Sequence, residues 1–167
     1  MTMMGFRKKG KKTKSVLGKS STHKGKASAA MSRYVRLRDA LCYCRKHGID
    51  TRQFDKLEDI IGQCCTCGKV KSWILMDAGH WKNRGSGGSS GVYFDERNVH
   101  LQCKQCNAFG GGKPKEHEQY IIERYGMAVK NDIEHKHHIP PDMRATNLIA
   151  TEIMYKNKYD ELAKGII

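Results

Sequence analysis

Residues Cys64 to Gly112 read CCTCGKVKSWILMDAGHWKNRGSGGSSGVYFDERNVHLQCKQCNAFGGG, and the fold is decided inside this stretch. It holds two Cys-x-x-Cys pairs, Cys64/Cys67 and Cys103/Cys106. At that spacing two thiolates from one tight turn reach a single tetrahedral ion. Gly68 follows the first pair and supplies the positive φ that such turns use. The expectation is a structural zinc held by Cys64, Cys67, Cys103 and Cys106. Cys65 competes for a place, but Cys64 with Cys67 matches the spacing of the second pair. A disulfide reading fits poorly, because no secretory-signal pattern opens the sequence and a reducing compartment is expected. A thioredoxin-like reading asks for one such pair opening a βα unit, whereas here two pairs bracket a hairpin.

Around this centre the chain has room for one modest domain of 167 residues with appendages, a size at which a metal staple contributes much to stability. Its formal charge of +14 is uneven. Met1 to Arg33 carry ten Lys or Arg and no acid, leaving +4 for everything after. That Lys-, Gly- and Ser-rich segment reads as a disordered basic tail over residues 1–31. Such an arm suits a polyanion, since each phosphate neutralised releases condensed counterion, so DNA is the expected partner. No apolar run approaches the ~20 residues that span a bilayer, and the tail lacks apolar membrane anchors. The protein is therefore expected to be soluble and cytoplasmic, with no membrane partner.

A helical pattern begins at Ser32, with Tyr34, Leu37, Leu41 and Cys44 on one face, Arg36 and Asp39 off it, and Gly48 as the stop. Cys42 and Cys44 are two apart, a poor spacing for one ion, and read as helix thiols. Ile49 to Gln63 form a connector. Ser72 to Met76 reads as a strand leading into Asp77-Ala-Gly-His80, Gly85 to Gly91 as a flexible loop, and Tyr93 to Gln102 as the returning strand. A helix is expected to open near Cys106 and to be cut short at Gly110 to Gly112. Beyond Pro114 the chain reads as helical, with Gly126 as a C-cap and a break at Pro140-Pro141. His135, His137 and His138 read as a polar helix end. A last helix over about Met143 to Lys164 either packs on the core or forms the seam of a homodimer.

The strings DAGH, FDERNVHLQC and CNAFGGG resemble the NinG (Rap) recombination proteins of lambdoid phages, which belong to the HNH or ββα-metal nucleases. The resemblance runs from about Tyr34 to the C-terminus. Two Cys-x-x-Cys pairs with asparagine directly after the last cysteine are also similar to the endonuclease VII junction resolvases. This resemblance implies an α+β fold with a zinc-stapled ββα-metal core at 64–114, helix and connector at 32–63, and a helical region at 115–167. It also implies an endonuclease acting on branched recombination intermediates of the Holliday-junction type, in the host cytoplasm if phage-encoded. The rivals are a non-catalytic zinc-ribbon DNA-binding module and a nickase without branch preference.

Hydrolysing a phosphodiester asks for a base to activate water and a cation, Mg²⁺ or Mn²⁺, to stabilise charge on the phosphate. His80 matches the family's general base. Asn98 corresponds to the middle letter of HNH, which ties the loop between the strands. Asn107 stands where most HNH sequences carry their last histidine, and its amide oxygen suits a hard ion, although asparagine also favours an N-cap. Asp77 is the natural second ligand, yet residues three apart on a regular strand face opposite ways, so it meets His80 only if the strand bulges at Ala78-Gly79. Many HNH sequences place the acid immediately before the histidine, where Gly79 stands here. His100 is the reserve base, and Lys82, Arg84 and Lys113 are the candidate phosphate contacts. A basic residue of the lambdoid pattern is replaced near Tyr93.

Overall fold

The computed structural model describes residues 20–82 and 90–166. Helix α1 (Ser20–Lys46) is its spine. Ala27, Met31 and Val35 recur at helical spacing and are buried, as are Tyr34, Leu37, Ala40 and Cys44. Helix α4 (Ala145–Lys164) lies along it. The Tyr34 and Tyr155 rings stand 5.6 Å apart, the Arg33 guanidinium sits 4.0 Å from the Tyr159 ring centre, and the Tyr155 hydroxyl donates to Phe94 O at 2.7 Å. Among the described residues the last helix therefore packs on the core.

The helix opens at Ser20, ahead of the expected Ser32, so 20–31 are ordered. Their composition is polar, but burial of Ala27 and Met31 outweighs weak local propensity. Residues 1–19 lie outside the described residues. Asp39, expected off the packed face, is 6% exposed.

Two small antiparallel sheets lie against α1. One pairs β1 (Ile61–Gln63) with β2 (Val70–Ser72), and the other pairs β3 (Met76–His80) with β4 (Val99–Cys103). Trp73–Leu75, expected as strand, form a 3₁₀ turn. Trp73 is drawn inward, its backbone N–H donating to Ile60 O and its indole N–H to Leu57 O at 2.7 Å, which leaves Ile74 and Leu75 exposed. The returning strand is shorter than expected, because Asp95 caps a 3₁₀ turn over Glu96–Asn98 by accepting from Arg97 N.

The outer edge of β4 is covered rather than open, as a buried strand requires. Leu101 N donates to Asp39 Oδ2 at 2.9 Å, Cys65 N donates to Leu101 O at 2.9 Å, and Arg38 Nη2 donates to Val99 O at 2.9 Å. Asp39 is buried because it caps this edge, and Arg38 and Arg124 pair with its other oxygen.

After β4 the chain makes one π-helical turn, Gln105–Phe109, where a short α-helix was expected. Then come α2 (Pro114–Tyr125) and α3 (Met127–His137), separated at Gly126, whose φ of 86° no other residue adopts easily. Ile121 and Ile133 of these helices form a second core with Trp81 and Val92. No described helix is long and apolar enough to cross a membrane.

Candidate metal centre

The turn after β1 and the end of β4 bring Cys64, Cys67, Cys103 and Cys106 together, all four Sγ atoms lying within 4.8 Å of one another. Four sulfurs at about 2.3 Å from one tetrahedral zinc stand about 3.8 Å apart. The Cys67 and Cys103 sulfurs are 3.7 Å apart, far beyond the ~2 Å of a disulfide. The residues therefore fit zinc in number, spacing and chemistry. Gly68 has the positive φ expected of it, 73°, and its N–H closes the turn on Cys64 O. Cys103 N donates to Cys64 Sγ at 3.3 Å. Burial raises the Cys64 thiol, but that N–H, the Thr66 hydroxyl and neighbouring amides outweigh it and bring it down to about 6. Cys65 is outside the cluster, where its backbone binds β4. Cys44 is buried with its thiol against Ile61 O, and Cys42 is exposed.

Beside the thiolates, Asp77 of β3 meets Asn107 of the π turn. Asn107 Nδ2 donates to Asp77 Oδ2 at 3.1 Å, and Lys104 Nζ lies 2.9 Å from Asp77 Oδ1. Partial burial raises the Asp77 carboxyl, but the hydrogen bonds from Lys104 and Asn107 prevail and hold it below its ordinary value. A hard divalent ion would need two rearrangements here. Turning the Asn107 amide over presents its oxygen beside the carboxylate, and Lys104, 65% exposed, swings into solvent at little cost. Asn107 has no N-cap role, since it lies inside the π turn.

His80 does not join this pair. The β3–β4 register runs unbroken from Met76↔Cys103 to His80↔Val99, so the bulge at Ala78-Gly79 that convergence requires is absent. Asp77 and Gly79 occupy one face and Ala78 and His80 the other. His80 lines a cleft with Tyr93, Ala78 and Val99 on one side and Lys24, Ser28 and Ser32 of α1 on the other. Its Nε2 is 3.1 Å from Tyr93 O.

Asn98 is fully buried. Its Oδ1 accepts from Lys82 N at 2.8 Å, and its Nδ2 donates to Lys82 O and Val92 O at 3.2 and 3.1 Å. These bonds tie Lys82 and Val92 to the residue that precedes β4. His100, the reserve base, is enclosed: its Nδ1 is 3.0 Å from His117 Nε2 and its Nε2 is 3.2 Å from the Tyr125 hydroxyl. Burial and the neighbouring His117 hold it well below the usual imidazole range, and no phosphate reaches it.

Of the candidate phosphate contacts, Lys82 is engaged with Glu134 at 2.9 Å and lies over the Trp81 ring. Lys113 is exposed at a left-handed position, φ 49°, that turns the chain into α2. Arg84 lies outside the described residues. His137 accepts or donates at Ser90 Oγ, 2.8 Å away, and with His135 and His138 it ends α3 as a polar cap. Lys104, Gln102 and His117 were not singled out in the sequence. Only the strand register shows that Gln102 shares a face with Asp77.

The family described as "Bacteriophage Lambda NinG protein" matches residues 5–165. Protein ninG of Salmonella phage P22 is 39% identical over 77 residues, which is 45% of this chain and 36% of that protein. Protein ninG of Escherichia phage 933W is 35% identical over 74 residues, 44% of this chain and 35% of that protein. Protein ninG of Escherichia phage lambda is 34% identical over 74 residues, with the same shares of 44% and 35%. The chain thus spans about a third of the length of the curated relatives it matches. No solved structure matches it.

Proposed function

This chain belongs to the NinG family of bacteriophage proteins, and from that premise we propose that it is a divalent-metal-dependent DNA endonuclease acting on branched recombination intermediates. The observation that carries the reading is the Asp77–Asn107 pair at 3.1 Å, set directly beyond the thiolate cluster. The order β3, β4, π turn supports a ββα-metal core in which the helical arm has shrunk to one turn carrying Asn107.

Zinc on the four thiolates is structural, and Asp77 and Asn107 hold a Mg²⁺ or Mn²⁺ ion through hard oxygens. When bound, that ion supplies Lewis-acid stabilisation of charge on the phosphate and the departing oxygen. Asn98 fixes the span that follows His80. The general-base role that the resemblance implies for His80 belongs to this proposal too, although its imidazole lies on the face of the sheet opposite Asp77. The net charge of +14 supports a nucleic-acid partner, and branched DNA is the substrate that the family resemblance implies.

A second reading is favoured by the placement of His80 away from the oxygen pair: a zinc-containing DNA-binding module without catalysis. Cleavage of a labelled four-way junction beside a linear duplex of the same arms, with Mg²⁺, Mn²⁺ or chelator, separates the readings. The nuclease reading expects divalent-dependent cutting, faster on the junction. Equal cutting of both substrates points to a nickase, and tight binding without cutting in any metal establishes the binding module.

A further inference from the structure

Gln102 is fully buried in β4, and its amide is fixed at one end. Nε2 donates to Thr66 Oγ1 at 3.1 Å, inside the zinc turn, and to Gly112 O at 2.8 Å, beyond the π turn. Both amide hydrogens are used, so the amide cannot be turned over, and Oε1 is the atom presented. Oε1 has no hydrogen-bond partner. Leaving a buried acceptor unpaired costs about 1–3 kcal/mol, and a native chain rarely does so without a water or an ion to satisfy it.

The direction of Oε1 is read from Gly79. A Cβ built on Gly79 would stand 2.1 Å from Gln102 Oε1, so the amide oxygen occupies the space that a side chain at position 79 would fill. Gly79 lies on the same face as Asp77, and Asp77 is the cross-strand partner of Gln102. The amide oxygen of one strand thus takes the place of a side chain on the other. An uncharged, hard, unpaired oxygen thus lies over Gly79, two residues along the same face of the sheet from the carboxylate.

We propose that Gln102 Oε1 is a further ligand of the divalent ion held by Asp77 and Asn107, supplying from β4 the oxygen that Gly79 cannot supply from β3. The proposal rests on the ion site of the preceding reading. It accounts together for the glycine, the orphaned oxygen and the two donor bonds that aim it. A neutral third oxygen also suits weak, exchangeable binding, since affinity at hard-ion sites rises with the number of charged ligands.

Mn²⁺ binding to the zinc-loaded protein, followed by electron paramagnetic resonance of the free ion, tests this without any cleavage. Gln102→Met should weaken binding at least tenfold, and Gly79→Ala should weaken it by displacing the oxygen. Gln102→Glu should tighten it several-fold. Asp77→Asn is the control for the site itself, and zinc content verifies the fold of each variant. In the unmutated protein, Mg²⁺ should shift the side-chain carbonyl carbon of Gln102 while those of the exposed Gln63 and Gln119 stay in place. If Mn²⁺ binds and Asp77→Asn abolishes it, yet both Gln102 variants bind as wild type and the carbonyl carbon does not move, Gln102 is no ligand. If the wild type binds no Mn²⁺ at all, the ion site fails and this proposal with it.

Discussion

Asn98 shows how much one amide holds in place. Asn98→Ala leaves the backbone N–H of Lys82 and the carbonyls of Lys82 and Val92 without their side-chain partner. With each net hydrogen bond contributing about 1 kcal/mol and an unpaired buried group costing about 1–3, stability should fall by roughly 2–4 kcal/mol. Urea unfolding reads this, and zinc content should be unchanged because the thiolates lie at the other end of the sheet. The buried imidazoles make a second prediction. Burial holds His117 down at about 4 against an ordinary 6.5, and His100 is also well below that value. Both are neutral in the fold and take up protons more readily when unfolded. Their contribution is therefore fully present above about pH 6.5 and is lost as pH falls from there toward 4. For His117 the loss is on the order of 3 kcal/mol. Unfolding midpoints should decline through that window, and His117→Gln should flatten the decline. A midpoint indifferent to pH between 7 and 5 contradicts the buried-pair account. At this scale the cysteine cluster was legible, because fixed spacing and residue chemistry signal it, whereas Asp77 and Asn107 were named through the family resemblance and their contact was not foreseen. Gln102 and His117 were not, since their meaning depends on which face of β4 they occupy and what α2 lays over it.

The elements depart from the sequence pattern where long-range contacts override local preference. Trp73 and Ile74 favour a strand, yet two hydrogen bonds from Trp73 to the connector bend 73–75 into a 3₁₀ turn. Serine, glycine and lysine around 20–31 read as disorder, yet Ala27 and Met31 are buried against the core. Met31→Ala should accordingly cost about 2–5 kcal/mol, as core truncations do, and a loss near zero by urea unfolding contradicts an ordered α1 start. The same fact sets where the basic segment can be removed. Deletion of residues 1–19, which carry seven Lys or Arg and no acid, should weaken binding to junction and duplex alike and flatten the slope of log affinity against log salt. Junction preference should survive, because a charged arm reads phosphate density rather than strand arrangement. If the ratio of junction to duplex affinity collapses to one, the arm itself senses the branch.

At the scale of the whole molecule, one cluster of thiolates ties the turn after β1 to the end of β4. The strands β1 and β2 are three residues each, shorter than sheets that stand alone. Zinc removal should therefore unfold the turn after β1 and release the end of β4, and Cys64→Ala or Cys106→Ala should do the same. One equivalent of zinc should copurify, and a metal-free protein with unchanged circular dichroism and melting temperature contradicts the staple. The claim on which the functional account turns is narrower: chemistry centred on Asp77. The direct measurement is single-turnover cleavage of a four-way junction by Asp77→Asn in Mg²⁺, alongside its zinc content and junction affinity. The account predicts zinc and affinity equal to wild type with cleavage slowed at least a hundredfold. Wild-type cleavage by that variant would contradict it.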